Sequence, residues 1–181
     1  MKSQHFWWPL AAGLGLLSLT GCAQSGPDAN QGAGIYCYRP NPSLPDRARW
    51  RTCTTVDVPT PQVDAQAKRF DAAPNAATVY VVRSSRGDTK HLIPIQVDRR
   101  VTAETVPRSM VRIRMPPGEH QLEFEWHGVR HTQQLQLKAN EVRFVTLHAP
   151  NWYDWGLLDA GWARDKARST RLVADLDLVH P

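Results

Sequence analysis

The side chains best suited to chemistry are few and scattered. His127 and His131 flank an expected turn, a spacing that lets two imidazoles approach one ion. A zinc site needs three or four ligands, and no third is fixed by the pattern, so no metal is expected. Glu123 and Glu125 stand two apart on one expected strand, where paired carboxylates can flank a sugar bond. Basic residues expected opposite them favour ordinary ion pairs instead. Ser84, Ser85 and Ser109 lack the Gly-x-Ser-x-Gly turn that exposes a nucleophile, and the chain has neither a Walker loop nor a dinucleotide fingerprint. No catalytic residue and no cofactor are therefore expected. Trp152, Tyr153, Trp155 and Trp162 form the most suggestive group, because aromatic faces stack on sugars and anchor protein partners. Plugging the open end of a small fold is their competing use.

The chain has three cysteines, and the first ends a distinctive N-terminal stretch. Lys2 precedes an apolar run from Phe6 to Leu19, closed by Leu19-Thr20-Gly21-Cys22. A run of about 14 residues, broken by Pro9 and two glycines, is too short for a bilayer core that needs roughly 20, so residues 1–21 read as a signal peptide. The ending resembles the lipobox of bacterial lipoproteins. That resemblance implies cleavage before Cys22, acylation of its sulfur and attachment to a lipid bilayer, with several acyl chains giving lasting anchorage. It also implies outer-membrane delivery, since Ala23 replaces the Asp that retains such proteins in the inner membrane, and a domain facing the periplasm. Residues 22–34, without an apolar side chain larger than alanine, read as a lipidated flexible tether.

With Cys22 acylated in an oxidising compartment, Cys37 and Cys53 are expected to form a disulfide. Closing a loop of about 15 residues is worth roughly 3 kcal/mol in the chain-entropy picture. It would staple an N-terminal extension, residues 35–77, with short β signals at 35–38 and 50–58 and a two-turn helix within 62–70 ahead of Pro74. Removing residues 1–21 leaves 21 basic against 17 acidic residues, a net charge of +4. The basic residues are dispersed, which argues against a nucleic-acid partner.

From residue 78 to 148 the pattern changes to short runs with β alternation: 78–83, 91–97, 111–115, 120–126, 131–137 and 142–147. Val111, Ile113 and Met115 alternate with Arg112 and Arg114, and Leu122, Phe124 and Trp126 with Gln121, Glu123 and Glu125. Pro116-Pro117-Gly118-Glu119 is expected to fold these two runs into a hairpin, with Arg112 opposite Glu123 or Glu125 and Ile113 near Leu122 or Phe124. A second hairpin is expected around residues 127–130. Residues 149–181 read as an aromatic-rich segment packed on the domain, with a short helix inside 156–168 and a closing strand in which Leu172, Ala174, Leu176 and Leu178 share a face. The fold expected is an all-β, antiparallel β-sandwich of about seven strands with short helical or loop appendages.

Ala67-Lys68-Arg69-Phe70, Ala77 to Arg83, Ile95-Gln96-Val97-Asp98 and Met115 to His120 resemble a family of small bacterial lipoproteins with a β-sandwich domain of unknown function. The later part is similar to PEGA-type surface-layer modules. The likeness spans about residues 67 to 147, carries over no catalytic residue, and has Arg99 where such modules often place glycine. It implies an envelope-facing sandwich used for binding or scaffolding. The function expected is that of a non-enzymatic envelope lipoprotein whose partner is an envelope protein or cell-wall glycan. A carbohydrate- or peptidoglycan-binding lipoprotein and an envelope enzyme with an unrecognised site are the alternatives.

Overall fold

The computed structural model describes residues 34–40, 51–84, 89–148, 156–159 and 161–179. It is mostly β. A two-stranded hairpin, β1 (Cys37–Tyr38) and β2 (Thr52–Cys53), precedes a short helix, α1 (Pro61–Ala67). Then follow β3 (Ala77–Arg83), β4 (Ile93–Val97), β5 (Arg100–Thr105), β6 (Ser109–Met115), β7 (Gly118–Trp126), β8 (Val129–Leu137), β9 (Val142–His148) and β10 (Gly156–Asp159), and finally α2 (Ala163–Arg168) and β11 (Arg171–Asp177). Among the described residues no helix is long and apolar enough to cross a membrane.

Two open sheets share one apolar core, as a β-sandwich requires. The first has the strand order β10-β9-β3-β6-β11 and the second β5-β4-β7-β8. Val79, Val81, Val111, Ile113, Met115 and Val145 of the first meet Ile93, Ile95, Val97, Leu122, Phe124 and Leu137 of the second in one cluster. The expectation of a purely antiparallel sandwich of about seven strands is corrected. Among the described residues nine strands lie in the two sheets, and the larger sheet is mixed, because β3 runs parallel to β9 and β11 parallel to β6. Parallel pairs need long crossovers, and β3 and β9 are separated by the whole of the smaller sheet.

The hairpin expected across Pro116-Pro117 is also corrected. β6 pairs with β3 and β11, whereas β7 pairs with β4 and β8, so this connection carries the chain from one sheet to the other. Two prolines fix φ at about −65°, which excludes the positive-φ backbone of a two-residue hairpin turn. Alternation alone could not distinguish the two outcomes, because Ile113 meets Leu122 and Phe124 in the same core by facing them across the layers. The second expected hairpin forms with a two-residue turn, His127-Gly128, both at positive φ (49° and 76°), the backbone a type I′ turn requires. A second turn of this kind, Asp98-Arg99 (φ 51° and 66°), joins β4 to β5, a strand that the sequence pattern did not reveal.

The outer face of the larger sheet carries a second core. Phe70, Tyr80 and Phe144 pack with centroids 5.0, 5.1 and 5.2 Å apart, the first two contacts edge-on and the Tyr80–Phe144 contact stacked. Ala67 of α1 and Ala163 and Ala167 of α2 complete it with Val82, Met110 and Leu172, small residues that let the helices sit close. The guanidinium groups of Arg164 and Arg168 lie 5.5 and 5.3 Å from the Phe70 ring centre, a cation–π cover on the solvent side. The expected helix near 62–70 is present and well started. Thr60 accepts from the Val63 N–H at 3.4 Å and Pro61 opens the first turn, while Phe70 at φ 57° lies beyond its end.

Candidate functional site

The stapled hairpin forms as expected, with Cys37 directly opposite Cys53 and the two sulfurs bonded. From Cys53 the chain bends at Thr55 and Val56, where the Thr54 hydroxyl donates to the Val56 carbonyl at 2.9 Å. Val58 enters the central core, and its N–H donates to the Gly34 carbonyl at 3.1 Å. Thr55 holds this segment to β5 by donating its N–H (3.1 Å) and hydroxyl (2.7 Å) to one carboxylate oxygen of Glu104. Arg171 holds it to β11 by donating to the Pro59 carbonyl. Both tethers run through side chains.

Between these parts lies a cleft of about 520 Å3, lined by residues 54 and 56–59, Ala103 and Glu104 of β5, and Val173 to Leu176 of β11. β5 and β11 are the outer strands of their sheets on the same side of the sandwich, so the cleft opens where both sheets end. Its floor is aliphatic: Val58, Ala103 and Val173 are buried, while Val56 at the mouth is 61% exposed. Among the described residues its charged lining consists of Asp57, Glu104 and Asp175, with no base among them.

Asp175 is committed elsewhere. The Arg112 guanidinium donates from Nε and Nη2 to its two oxygens at 2.8 and 2.5 Å, a bidentate pair on the outer face of the larger sheet. Hydrogen bonding to the Asp175 carboxylate, against the opposing effect of burial, raises the Arg112 pKa above its ordinary value. One rung along, Arg114 approaches Asp177 at 3.4 Å, nearer to solvent. Arg112 therefore meets an acid on β11, and the expected pairing with Glu123 or Glu125 is corrected. Glu123 is buried, accepts from Gln121 Nε2 at 3.2 Å and lies 4.0 Å from Arg130. A smaller polar hollow of about 180 Å3 beside this ladder is lined by Gln66, residues 71–74, Thr78, Arg112 and Arg114.

The two histidines of the second hairpin stack on separate aromatic neighbours. His131 lies on Phe124 at 4.8 Å, and His127 on Trp126 at 4.4 Å. Among the described residues no three His, Cys, Asp or Glu side chains are placed to share a metal ion. A different histidine is engaged on both ring nitrogens. His120 lies 2.9 Å from Asp98 and 2.9 Å from the Pro116 carbonyl, joining the β4–β5 turn to the proline crossover. Burial works to raise the Asp98 pKa, but the Gln121 amide and the His120 ring donating to its carboxylate outweigh that and hold it below its ordinary value.

Of the aromatic group, Trp162 is 52% exposed just ahead of α2. Trp152, Tyr153 and Trp155 lie outside the described residues, as does Cys22. The sequence did not reveal the cleft, whose walls come from three separate stretches. The alternation in 172–178 was nonetheless part of its signal. A bulge between Leu172 and Ala174 moves Leu172 to the helix-covered face, leaving Val173, Ala174, Leu176 and Leu178 toward the central core. The expected common face therefore loses its first member.

Comparison with known protein families and with curated proteins finds no family model and no relative that matches this chain.

Proposed function

We propose that this chain is a membrane-anchored envelope lipoprotein, non-enzymatic, that binds or scaffolds another envelope component through the open side of its two-sheet fold. The observation that carries the reading is the cleft between β5 and β11. It combines an aliphatic floor with an acidic lining and lies beside Gly34, where the expected tether from Cys22 ends. Pockets of a few hundred cubic ångströms with mostly apolar walls and a few polar groups are the usual form of a binding site. The lipobox-like ending at Cys22, the tether and the resemblance to small sandwich lipoproteins support placement on the periplasmic side of the outer membrane. Glycan binding is the second reading, favoured by the exposure of Trp162.

The test has two arms. Mass spectrometry of the processed N-terminus is expected to find an acylated Cys22. A photo-crosslinking residue at Val56, in intact cells, is expected to trap a discrete partner, whereas the same residue at Val129, exposed on the β7–β8 hairpin, is expected to trap none. An unmodified Cys22 thiol removes the anchored reading. Identical trapping from both positions removes the cleft.

A further inference from the structure

We infer that the occupant of the cleft is an extended peptide segment with alternating apolar and basic side chains, added as a strand along the open edge of β11. The inference rests on the reading of the cleft as the binding site and deepens it. Four consecutive residues of β11, Val173 to Leu176, line the cleft. Val173, Ala174 and Leu176 turn toward the central core while Asp175 turns to the outer face, so a surface touched by all four follows the edge of the strand. Residues 56–59 line the opposite wall in the same consecutive way.

Among the described residues β11 pairs with β6 alone, and its other edge has no neighbouring strand. That open stretch is bounded at both ends. On one side the Leu172 N–H is taken by the Asp64 carboxylate of α1 at 2.7 Å, and the bulge interrupts the register. On the other, the Val179 N–H is taken by Asp177 at 3.1 Å. Six residues lie between them, and the four that line the cleft, Val173 to Leu176, span roughly 13 Å at about 3.3 Å each, enough for two ladder repeats. Natural proteins protect sheet edges with bulges, charges or covering loops, and here such devices flank the window without filling it.

The chemistry of the lining selects among occupants. An acyl chain would cover the edge with hydrocarbon and leave buried backbone groups without partners, at a cost of a few kcal/mol per group. A peptide backbone satisfies them. A sugar would look for an aromatic platform, and the lining contains none. Alternate side chains of an added strand would face the aliphatic floor at Val58, Ala103 and Val173, and the intervening ones the carboxylates of Asp57 and Glu104. Because no basic residue lines the cleft, cationic side chains are the complementary choice.

The experiment uses the mature lipidated chain in detergent micelles and a fluorescent heptapeptide of alternating valine and lysine. Anisotropy is expected to show saturable binding, at least tenfold weaker for the valine–glutamate analogue. A valine–lysine peptide N-methylated at alternate amides keeps its charge but cannot pair with a strand, and is also expected to bind at least tenfold more weakly. Asp57→Lys, at an exposed position, is expected to weaken the valine–lysine peptide several-fold with an unchanged melting temperature. Equal binding of the N-methylated peptide, or no saturable binding of the parent, overturns the inference. Failure here with specific trapping from Val56 in cells would leave the proposed function standing. Peptide binding by a chain whose Cys22 proves unmodified would do the reverse.

Discussion

The two sheets solve the same burial problem differently. The smaller one has its core on one face, and β4 alternates: Ile93, Ile95 and Val97 are buried while Pro94 and Gln96 are only partly so. The larger one is covered on both faces, and every residue of its central strand β3, from Ala77 to Arg83, is buried. A sheet with parallel pairs needs cover on both sides, and α1, α2 and Phe70 supply it. The lesson is that a strand's hydrophobic pattern reports how many layers lie against it. In Ala77 to Arg83, Tyr80 and Val82 belong to a second core to which Phe144, Ala163, Ala167 and Leu172 come from far along the chain.

Truncating one ring in each core separates their roles. Phe124→Ala, in the core shared by both sheets, is expected to cost about 3–5 kcal/mol and to lower the denaturant midpoint of the whole domain in a single transition. Phe144→Ala, 7% exposed under the helices, is expected to fall at or below the lower end of that range, because α2 can settle toward the gap. Equal losses with identical cooperativity would mean that the two cores behave as one.

The next largest effect is expected in the Arg/Asp ladder on the outer face of the larger sheet. The side chains of Arg112 and Asp175 are 10% and 17% exposed, whereas those of Arg114 and Asp177 are 38% and 37% exposed. A double-mutant cycle on Arg112 and Asp175, read by urea unfolding, is expected to give a coupling of about 1–2 kcal/mol. The same cycle on Arg114 and Asp177 is expected to give less than about 0.5 kcal/mol because water screens the outer rung. A reversed order would show that burial along β6 does not set the strength of these pairs.

The smallest effect lies at the turn of the smaller sheet. Asp98 has a depressed pKa in the folded state, so the stability it contributes is present above its ordinary pKa of about 3.9 and is lost as pH falls through the lower, folded value. With a half-exposed side chain the contribution is expected to be a few tenths of a kcal/mol. Asp98→Asn should therefore flatten stability between pH 4 and pH 2 slightly while leaving the effect of Phe124→Ala unchanged. A steeper acid loss in the variant would contradict this.

Much of the local structure was legible in the sequence. Alternation located β6, β7, β8 and β9, the helix formers of 62–70 located α1, and the two cysteines left once Cys22 is set aside gave the staple. Partner choice was not legible, because the same alternation serves a hairpin and a crossover between layers, and both place Ile113 beside Leu122 and Phe124. β5 was hidden because Arg100 to Thr105 holds two charged residues among six and follows a turn without glycine. The cleft was hidden for a topological reason. Residues 56–59, 103–104 and 173–176 are brought together only when each sheet has its edge strand in place.

The staple has a mechanical consequence. A pull applied to the chain ahead of Gly34 would first load the hydrogen bond from Val58 and then those joining Tyr36 to Thr54, before it reached the first β1–β2 pair. The covalent link between Cys37 and Cys53 sits at that pair, so tension passes across it to residue 53 without opening the intervening loop. Beyond that point the load reaches Val58, seated in the central core, and the attachments of Thr55 and Pro59 to opposite sheets. Drag on the domain is thereby shared between the two layers of the sandwich.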